Sequence, residues 1–291
     1  MYRRRLGPSG PDVSAVSFGG MHLSIAERPD ESQAVRVLHA ALDAGVTLID
    51  TADVYCLDDR DIGHNERLIA GALRAWRGPR ESVLVATKGG CTRPGGRWDR
   101  DGRPAHLRAA CERSLRALGV NEIGLYQLHA PDSRVPFEDS VGAIARLLEE
   151  GKVVRAGLSN VSVAQIMAAG RILPVTSVQN RLNPFFRESL SDGVVAHCMA
   201  GGIGFLAYSP VGGGRLNRKL PDHPVVRDVA SRAGASPHAV VLAWLLSKGE
   251  QVIPIPSART EPHARDSAAA AELRLSAADL QRLDEAEFPV A

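Results

Sequence analysis

The 291-residue chain is 44% hydrophobic, and its 35 basic and 33 acidic side chains leave a formal charge of +2 at pH 7. That supplies apolar material for a large core, while so balanced a charge offers no electrostatic footprint for nucleic acid or an anionic membrane. No apolar run approaches the roughly 20 residues that cross a bilayer, so a soluble, cytoplasmic protein is expected; α/β barrels reach this length as one unit, so residues 1–291 are expected to form a single domain.

At the start, Arg3-Arg4-Arg5 has the look of a twin-arginine export signal, but the following LGPSGPDVSAVSFGG lacks the apolar segment such a signal needs. Gly and Pro at turn positions in RRRLGPSGPDVS instead predict an N-terminal hairpin closing the bottom of the fold. Eight nearly continuous apolar runs then alternate with helical windows: AVSF (15–18), TLID (47–50), VLVAT (83–87), IGLYQL (123–128), VVRAGLS (153–159), VTSVQ (175–179), IGFLAY (203–208) and QVIPI (251–255). Strands covered on both faces read this way, and the alternation predicts an α/β fold, a (β/α)8 TIM barrel. ESQAVRVLHAALDAG sets Val35, Leu38 and Leu42 on one helical face and stops at Gly45, and PFEDSVGAIARLLEEG does the same with Val141, Ile144 and Leu148 before Gly151. Pro104 stands at the first position of the helix AHLRAACERSLRALG, where its missing N–H costs nothing. SLSDGVVAHCMA reads as a helix, and LSAADLQRLDEAEF as an extra C-terminal one. The non-periodic stretches 56–64, 89–103 and 210–223 each follow a strand, where barrel loops shape a substrate pocket.

Cys56, Cys91, Cys111 and Cys198 show no C-x-x-C spacing and no paired histidine pattern, which predicts reduced thiols rather than a zinc site or a disulfide framework. His197 beside Cys198 supplies too few ligands, and no metal is expected.

Four polar residues, Asp50, Tyr55, Lys88 and His129, lie at or just beyond the ends of apolar runs in LIDTADVY, VLVATK and LYQLH. The carboxyl ends of all barrel strands open onto one face, so these residues can converge. Reducing a carbonyl requires a proton on oxygen, which a tyrosine can deliver, though a reference pKa of about 10 makes it a reluctant donor. A neighbouring Lys88 ammonium favours the phenolate and lowers that barrier, with Asp50 holding the lysine charged and His129 orienting the carbonyl or relaying the proton. Singly, each residue has an ordinary explanation: a rim aromatic, a solvated strand end, a cap, a satisfied core histidine. The set of four together points to a proton-donating site.

The chain resembles the aldo-keto reductases, eight-stranded α/β barrels that use nicotinamide cofactors. LIDTADVY followed by HNERLIAGAL is similar to the family's Asp-Thr-Ala-x-x-Tyr segment and its continuation. VATKGG, LYQLHAPD, GKVVRAGLSNVS, SVQN, AYSPVGGGRL and VIPIPSARTEPHARDS follow in the family's order over essentially the whole chain. The resemblance implies NADPH-dependent reduction of a small aldehyde or ketone, with Tyr55 as general acid, Lys88 and Asp50 as its tuning pair and His129 as polarising partner. It puts Asp50, Ser159, Asn160 and Gln179 at the nicotinamide end of the cofactor, Tyr208 against the nicotinamide ring, and Gly19, Gly20 and Met21 along the same crevice. The glycine run of SPVGGGRL lets backbone approach a pyrophosphate, with Ser209, Pro210, Val211, Gly213 and Arg215 at the cofactor. Arg259 falls against the 2′-phosphate, Ser257 beside it, and His263, Asp266 and Ser267 towards the adenine. A guanidinium binds a phosphate dianion bidentately, so NADPH is expected over NADH.

His22, Leu57 and Trp98, on loops that follow strands, are expected at the substrate pocket. RPAHLRAACERSLRALGV through VPFEDSVGAIARL is similar to bacterial members acting on pyridoxal or other small aldehydes. Three positions depart from the family's pattern: Cys56 replaces a usual glycine, Gly124 a common aspartate and Ser267 a common asparagine. No G-x-G-x-x-G with a downstream acid occurs, which disfavours a Rossmann domain. Two rival functions use the same fold. A cofactor-sensing regulatory subunit is disfavoured by the intact four residues, and a non-redox isomerase or lyase by Ser159, Asn160, Gln179 and Tyr208.

Overall fold

In the computed structural model, which describes residues 1–290, the expected hairpin is formed by β1 (Arg3–Arg5) and β2 (Asp12–Ser14), paired antiparallel. The eight apolar runs become the parallel strands β3 (Phe18–Gly19), β4 (Leu48–Asp50), β5 (Leu84–Gly89) and, after a small hairpin of β6 (Cys91–Thr92) and β7 (Asp99–Arg100), β8 (Leu125–Leu128), β9 (Ala156–Ser159), β10 (Val175–Arg181), β11 (Gly204–Tyr208) and β12 (Val252–Pro254). Each pairs with the next in the sequence, and the ring is closed by Ser17 N donating to Pro254 O (3.0 Å) and Gly19 N to Pro256 O (2.9 Å). The β6–β7 hairpin lies inside the stretch 89–103 that carries no periodic signal, because strands of two residues are too short to show alternation.

Around the sheet run α1 (Glu31–Asp43), α2 (His64–Ala75), α3 (Pro104–Leu118), α4 (Phe137–Glu149), α5 (Val163–Ala169), α6 (Glu188–Ser191), α7 (Val194–Ala200), α8 (Gly213–Leu216), α9 (Pro224–Ala233), α10 (Pro237–Leu246), α11 (Glu261–Ala269) and α12 (Ala277–Glu285). The helix expected over SLSDGVVAHCMA is broken into α6 and α7 at Gly193, whose φ of 84° a right-handed helix cannot continue. No helix among the described residues is long and apolar enough to cross a membrane.

The period of two along a strand sets the site on its floor. On the inner face, Leu48 is followed by Asp50, Leu84 and Ala86 by Lys88, and Leu125 by Gln127. The apolar members pack with Leu6 and Val13 of the hairpin and with Leu206 and Ile253 to fill the bottom of the barrel, so the polar members ride above a dry layer. The outer members Ile49, Tyr126, Leu158, Val178 and Phe205 pack against the helices.

α2 is stitched to the upper ends of three strands. Asn65 Nδ2 donates to Gly20 O (2.9 Å), Asn65 Oδ1 accepts from Thr51 Oγ1 (2.6 Å), and Glu66 Oε1 accepts from Thr87 Oγ1 (2.6 Å). Behind these contacts Asp53 is buried beside Glu66, with Arg113 Nη2 3.6 Å away. Burial first, and the Glu66 charge second, push the Asp53 carboxyl up to about 8.

Two outcomes follow from this packing. A Cβ on Gly20 would lie 2.5 Å from Asn65 Oδ1 and 3.1 Å from Asp50 O, so Gly20→Ala is expected to destabilise the protein by about 1–3 kcal/mol in denaturant unfolding. Because the folded state holds the Asp53 proton that the unfolded chain releases near 3.8, stability should fall as pH rises from there to about 8. Asp53→Asn is expected to flatten that slope and raise the melting temperature by several degrees at neutral pH, as read by thermal melts across the range.

Candidate active site

Asp50, the last residue of β4, and Lys88, the fifth residue of β5, meet on the inner face of the barrel. Lys88 has no exposed surface, and its ammonium donates to Asp50 Oδ2 (2.6 Å), Thr51 O (2.8 Å) and Tyr55 Oη (2.9 Å), which accounts for all three of its N–H groups. Asp50 Oδ1 accepts from Gln179 Nε2 (2.7 Å) and Gln127 Nε2 (3.4 Å), so the carboxylate that carries the lysine is itself held on its second oxygen. Tyr55 sits after the turn in which its N–H bonds Ala52 O (3.2 Å). With its oxygen accepting from Lys88, the phenol keeps its own proton to donate elsewhere.

The expectation that Lys88 makes Tyr55 more acidic is half met. The ammonium is in contact, yet burial, and then the Asp50 charge, hold the phenol well above its ordinary value, so it stands protonated. Burial likewise lowers the Lys88 value, opposed by Asp50. His129 is half-buried, packed edge-on to Tyr55 with ring centroids 5.7 Å apart; burial and then the Lys88 charge depress its pKa well below the usual value, which keeps the imidazole neutral. Trp98, carried by the β6–β7 hairpin, stands edge-on to both rings at 6.4 and 6.2 Å, and the Arg93 guanidinium lies 4.3 Å over its face.

Tyr55, His129 and Trp98 form one end of a cleft of about 1000 Å³ at the carboxyl ends of the strands. Every residue expected at the site lines this cleft except Lys88, which lies behind Tyr55 and Asp50, Gly20 and Leu57. Gly20 is instead packed under Asn65, and Leu57 is 42% exposed outside the cleft. Asn160, held at a φ of 59°, donates to His129 O (3.0 Å) and Ser159 Oγ (3.1 Å) and accepts from Tyr208 Oη (2.9 Å), which fixes the Tyr208 ring at the cleft wall. Ser257 Oγ donates to Gly19 O (2.6 Å), and Arg215 Nη2 to Val290 O (2.6 Å). Glu27, Asn217, Arg218, His238 and Thr260 also line the cleft; Asn217 and Arg218 fall in the stretch 210–223 expected to shape it, whereas Glu27 and Thr260 in polar loops and His238 at the start of α10 carried no signal of it.

The three departures from pattern fit locally. Cys56 keeps a negative φ, so the backbone there has no need of glycine, and its Sγ lies 3.2 Å from Val54 O and from Asp58 O. A Cβ on Gly124 would lie 2.4 Å from Leu84 Cδ1, so Leu84 fills the room a side chain there would take. Ser267 lines the cleft.

Comparison with known proteins agrees with this architecture. Residues 15–287 match the aldo/keto reductase family. A probable aldo-keto reductase 1 from Glycine max is 34% identical over 97% of this chain and 88% of its own length. The thermostable aldo-keto reductase Tm1743, solved with the inhibitor epalrestat, superposes with a TM-score of 0.83 at 28% identity over 98% of this chain and 99% of that one. An aldo-keto reductase from Klebsiella pneumoniae, solved with NADPH, gives a TM-score of 0.82 at 27% identity over 98% and 94%. With its eight-stranded barrel and a match that spans nearly its full length, this chain belongs to the aldo/keto reductase family.

Proposed function

We propose that the protein reduces a small aldehyde or ketone to the alcohol using NADPH, with Tyr55 as the proton donor. The observation that carries this is the single contact at Tyr55: its oxygen accepts from a fully buried lysine at 2.9 Å while the residue lines a cleft.

The cleft fits a nicotinamide dinucleotide. Gly212 and Gly213 take φ of 93° and 72°, and a Cβ on Gly214 would project into open space, so the backbone of this loop is bare where a pyrophosphate would approach. Arg215, Arg218 and Arg259 supply cations along the same side. Ser159, Asn160 and Gln179 would face the carboxamide, Tyr208 the nicotinamide ring, and Arg259 the 2′-phosphate. The related Klebsiella pneumoniae protein was solved with NADPH. When bound, the nicotinamide supplies the hydride that reduces the carbonyl carbon.

This chain's own residues handle the proton. Tyr55 gives its phenol proton to the carbonyl oxygen, and the ammonium of Lys88, already in contact, steadies the phenolate left behind. Asp50 keeps that ammonium in place, and Gln179 and Gln127 keep Asp50 in place. His129, neutral, can offer a ring N–H to the same carbonyl oxygen without adding a charge to the site. Trp98 walls the cleft on the solvent side, which helps exclude water.

A fluorescence titration with NADPH, followed by a panel of carbonyls that includes pyridoxal and other small aldehydes, is the direct test: emission should quench on binding and decay only when a carbonyl is supplied. Tyr55→Phe is expected to lower kcat by about 10²–10⁴-fold with NADPH affinity unchanged. Undiminished turnover by that variant would sink the proposal. Lys88→Met is expected to lose turnover to a similar degree, because the phenolate then forms with no cation beside it.

A further inference from the structure

Glu27 lies on the loop between β3 and α1, and its φ of 60° is one that a glutamate seldom adopts. Arg28 N donates to Ile25 O (3.0 Å) to close the turn, and the Arg28 side chain anchors it through Ser24 O (3.3 Å) and an ion pair with Asp61 (2.6 Å). Turned in this way, the Glu27 carboxylate lines the cleft and pairs with Arg259 Nη1 at 3.2 Å, while Arg259 Nη2 donates to Ala26 O (3.4 Å). The guanidinium assigned above to a 2′-phosphate therefore already holds an anion. Among the described residues, Glu27 is the only acidic side chain paired with it.

We propose that Glu27 is a specificity-determining residue: it competes with the 2′-phosphate for Arg259 and so narrows the preference for NADPH over NADH. The inference rests on the reading of the cleft as a nicotinamide dinucleotide site. A 2′-phosphate dianion satisfies both edges of a guanidinium, but to do so it must displace the carboxylate and then sit beside it, like charge against like. The 2′-hydroxyl of NADH makes no such demand. It leaves the Glu27–Arg259 pair standing and can donate to the carboxylate. Glu27 is 79% exposed and Arg259 38%, so the pair is screened by water and its effect is a moderate bias on cofactor choice rather than a block.

The test is binding in the absence of substrate, with dissociation constants for NADPH and NADH measured on the wild type, Glu27→Gln, Glu27→Lys and Arg259→Ala. Competition by 2′,5′-ADP against 5′-ADP isolates the phosphate from the nicotinamide end. Glu27→Gln is expected to tighten NADPH by up to about fivefold, the scale of an exposed ion pair, with NADH unchanged or weaker. Glu27→Lys, which replaces the competitor by a second cation, is expected to tighten NADPH and 2′,5′-ADP further. An unchanged ratio of the two affinities in Glu27→Gln, or weaker NADPH binding, overturns the proposal. If Arg259→Ala loses the preference for NADPH while Glu27→Gln keeps the wild-type ratio, only the role of Glu27 falls. If neither dinucleotide binds the wild type, the reading of the cleft falls with it.

Discussion

A lysine ammonium with no exposed surface is the constraint around which the top of this barrel is arranged. Taking such a charge out of water is tolerable only when each of its N–H groups finds an acceptor and a counter-charge lies in contact. Lys88 meets both conditions through Asp50, Thr51 O and Tyr55. Asp50 and Thr51 come from neighbouring positions at the end of one strand, and the β4–β5 register sets Asp50 opposite Ala86, two residues before Lys88. The third acceptor is the phenol. Burying the lysine thus requires the contact that the proposed chemistry would use, and the tyrosine is held by the same bonds that make the buried charge acceptable.

The polar layer extends beyond that pair. Gln127 and Gln179, from β8 and β10, converge on the free oxygen of Asp50, and Ser177 Oγ donates to Gln127 Oε1 (3.4 Å). Below them the inner face is apolar, filled by Leu48, Ala86, Leu125, Leu206 and Ile253 and plugged by Leu6. A dry floor under a hydrogen-bonded ceiling strengthens every electrostatic contact in the ceiling, because the surrounding medium screens little. The same dryness works on Tyr55 in the other direction, by disfavouring its charged form. The phenol therefore rests with its proton in place, and in the proposed reaction the cation beside it would matter once that proton has gone.

The eight strands were legible because each is covered on both faces and reads as a short apolar run; α1, α3 and α4 were legible because one face of each is apolar and glycine or proline marks an end. α10 shows the limit of such patterning: every residue from Ala239 to Leu246 is buried, so it is apolar all round and has no periodicity to detect. The meeting of Asp50, Tyr55, Lys88 and His129 was legible from strand ends and the turn that follows one of them. What was not legible depends on distance in three dimensions. The expected effect of Lys88 on Tyr55 considered the neighbouring charge but not the burial that outweighs it, and Gly20 was assigned to a crevice when its close neighbour is Asn65. Glu27 stands in a polar loop with no pattern, and only the turn at Ile25–Arg28 directs it at Arg259.

The hairpin at the bottom carries one more consequence. Arg4 donates to the carbonyl oxygens of Leu246, Gly249 and Val252, and Leu6 packs with Leu48 and Leu125 as well as Leu206 and Ile253, so the hairpin ties the early strands of the barrel to the late ones. During synthesis Arg4 has to wait for these acceptors until Val252 has left the ribosome. A half-made cylinder would have an open edge on each side and only part of its wall around Leu6, so the floor is sealed only when the last strands arrive.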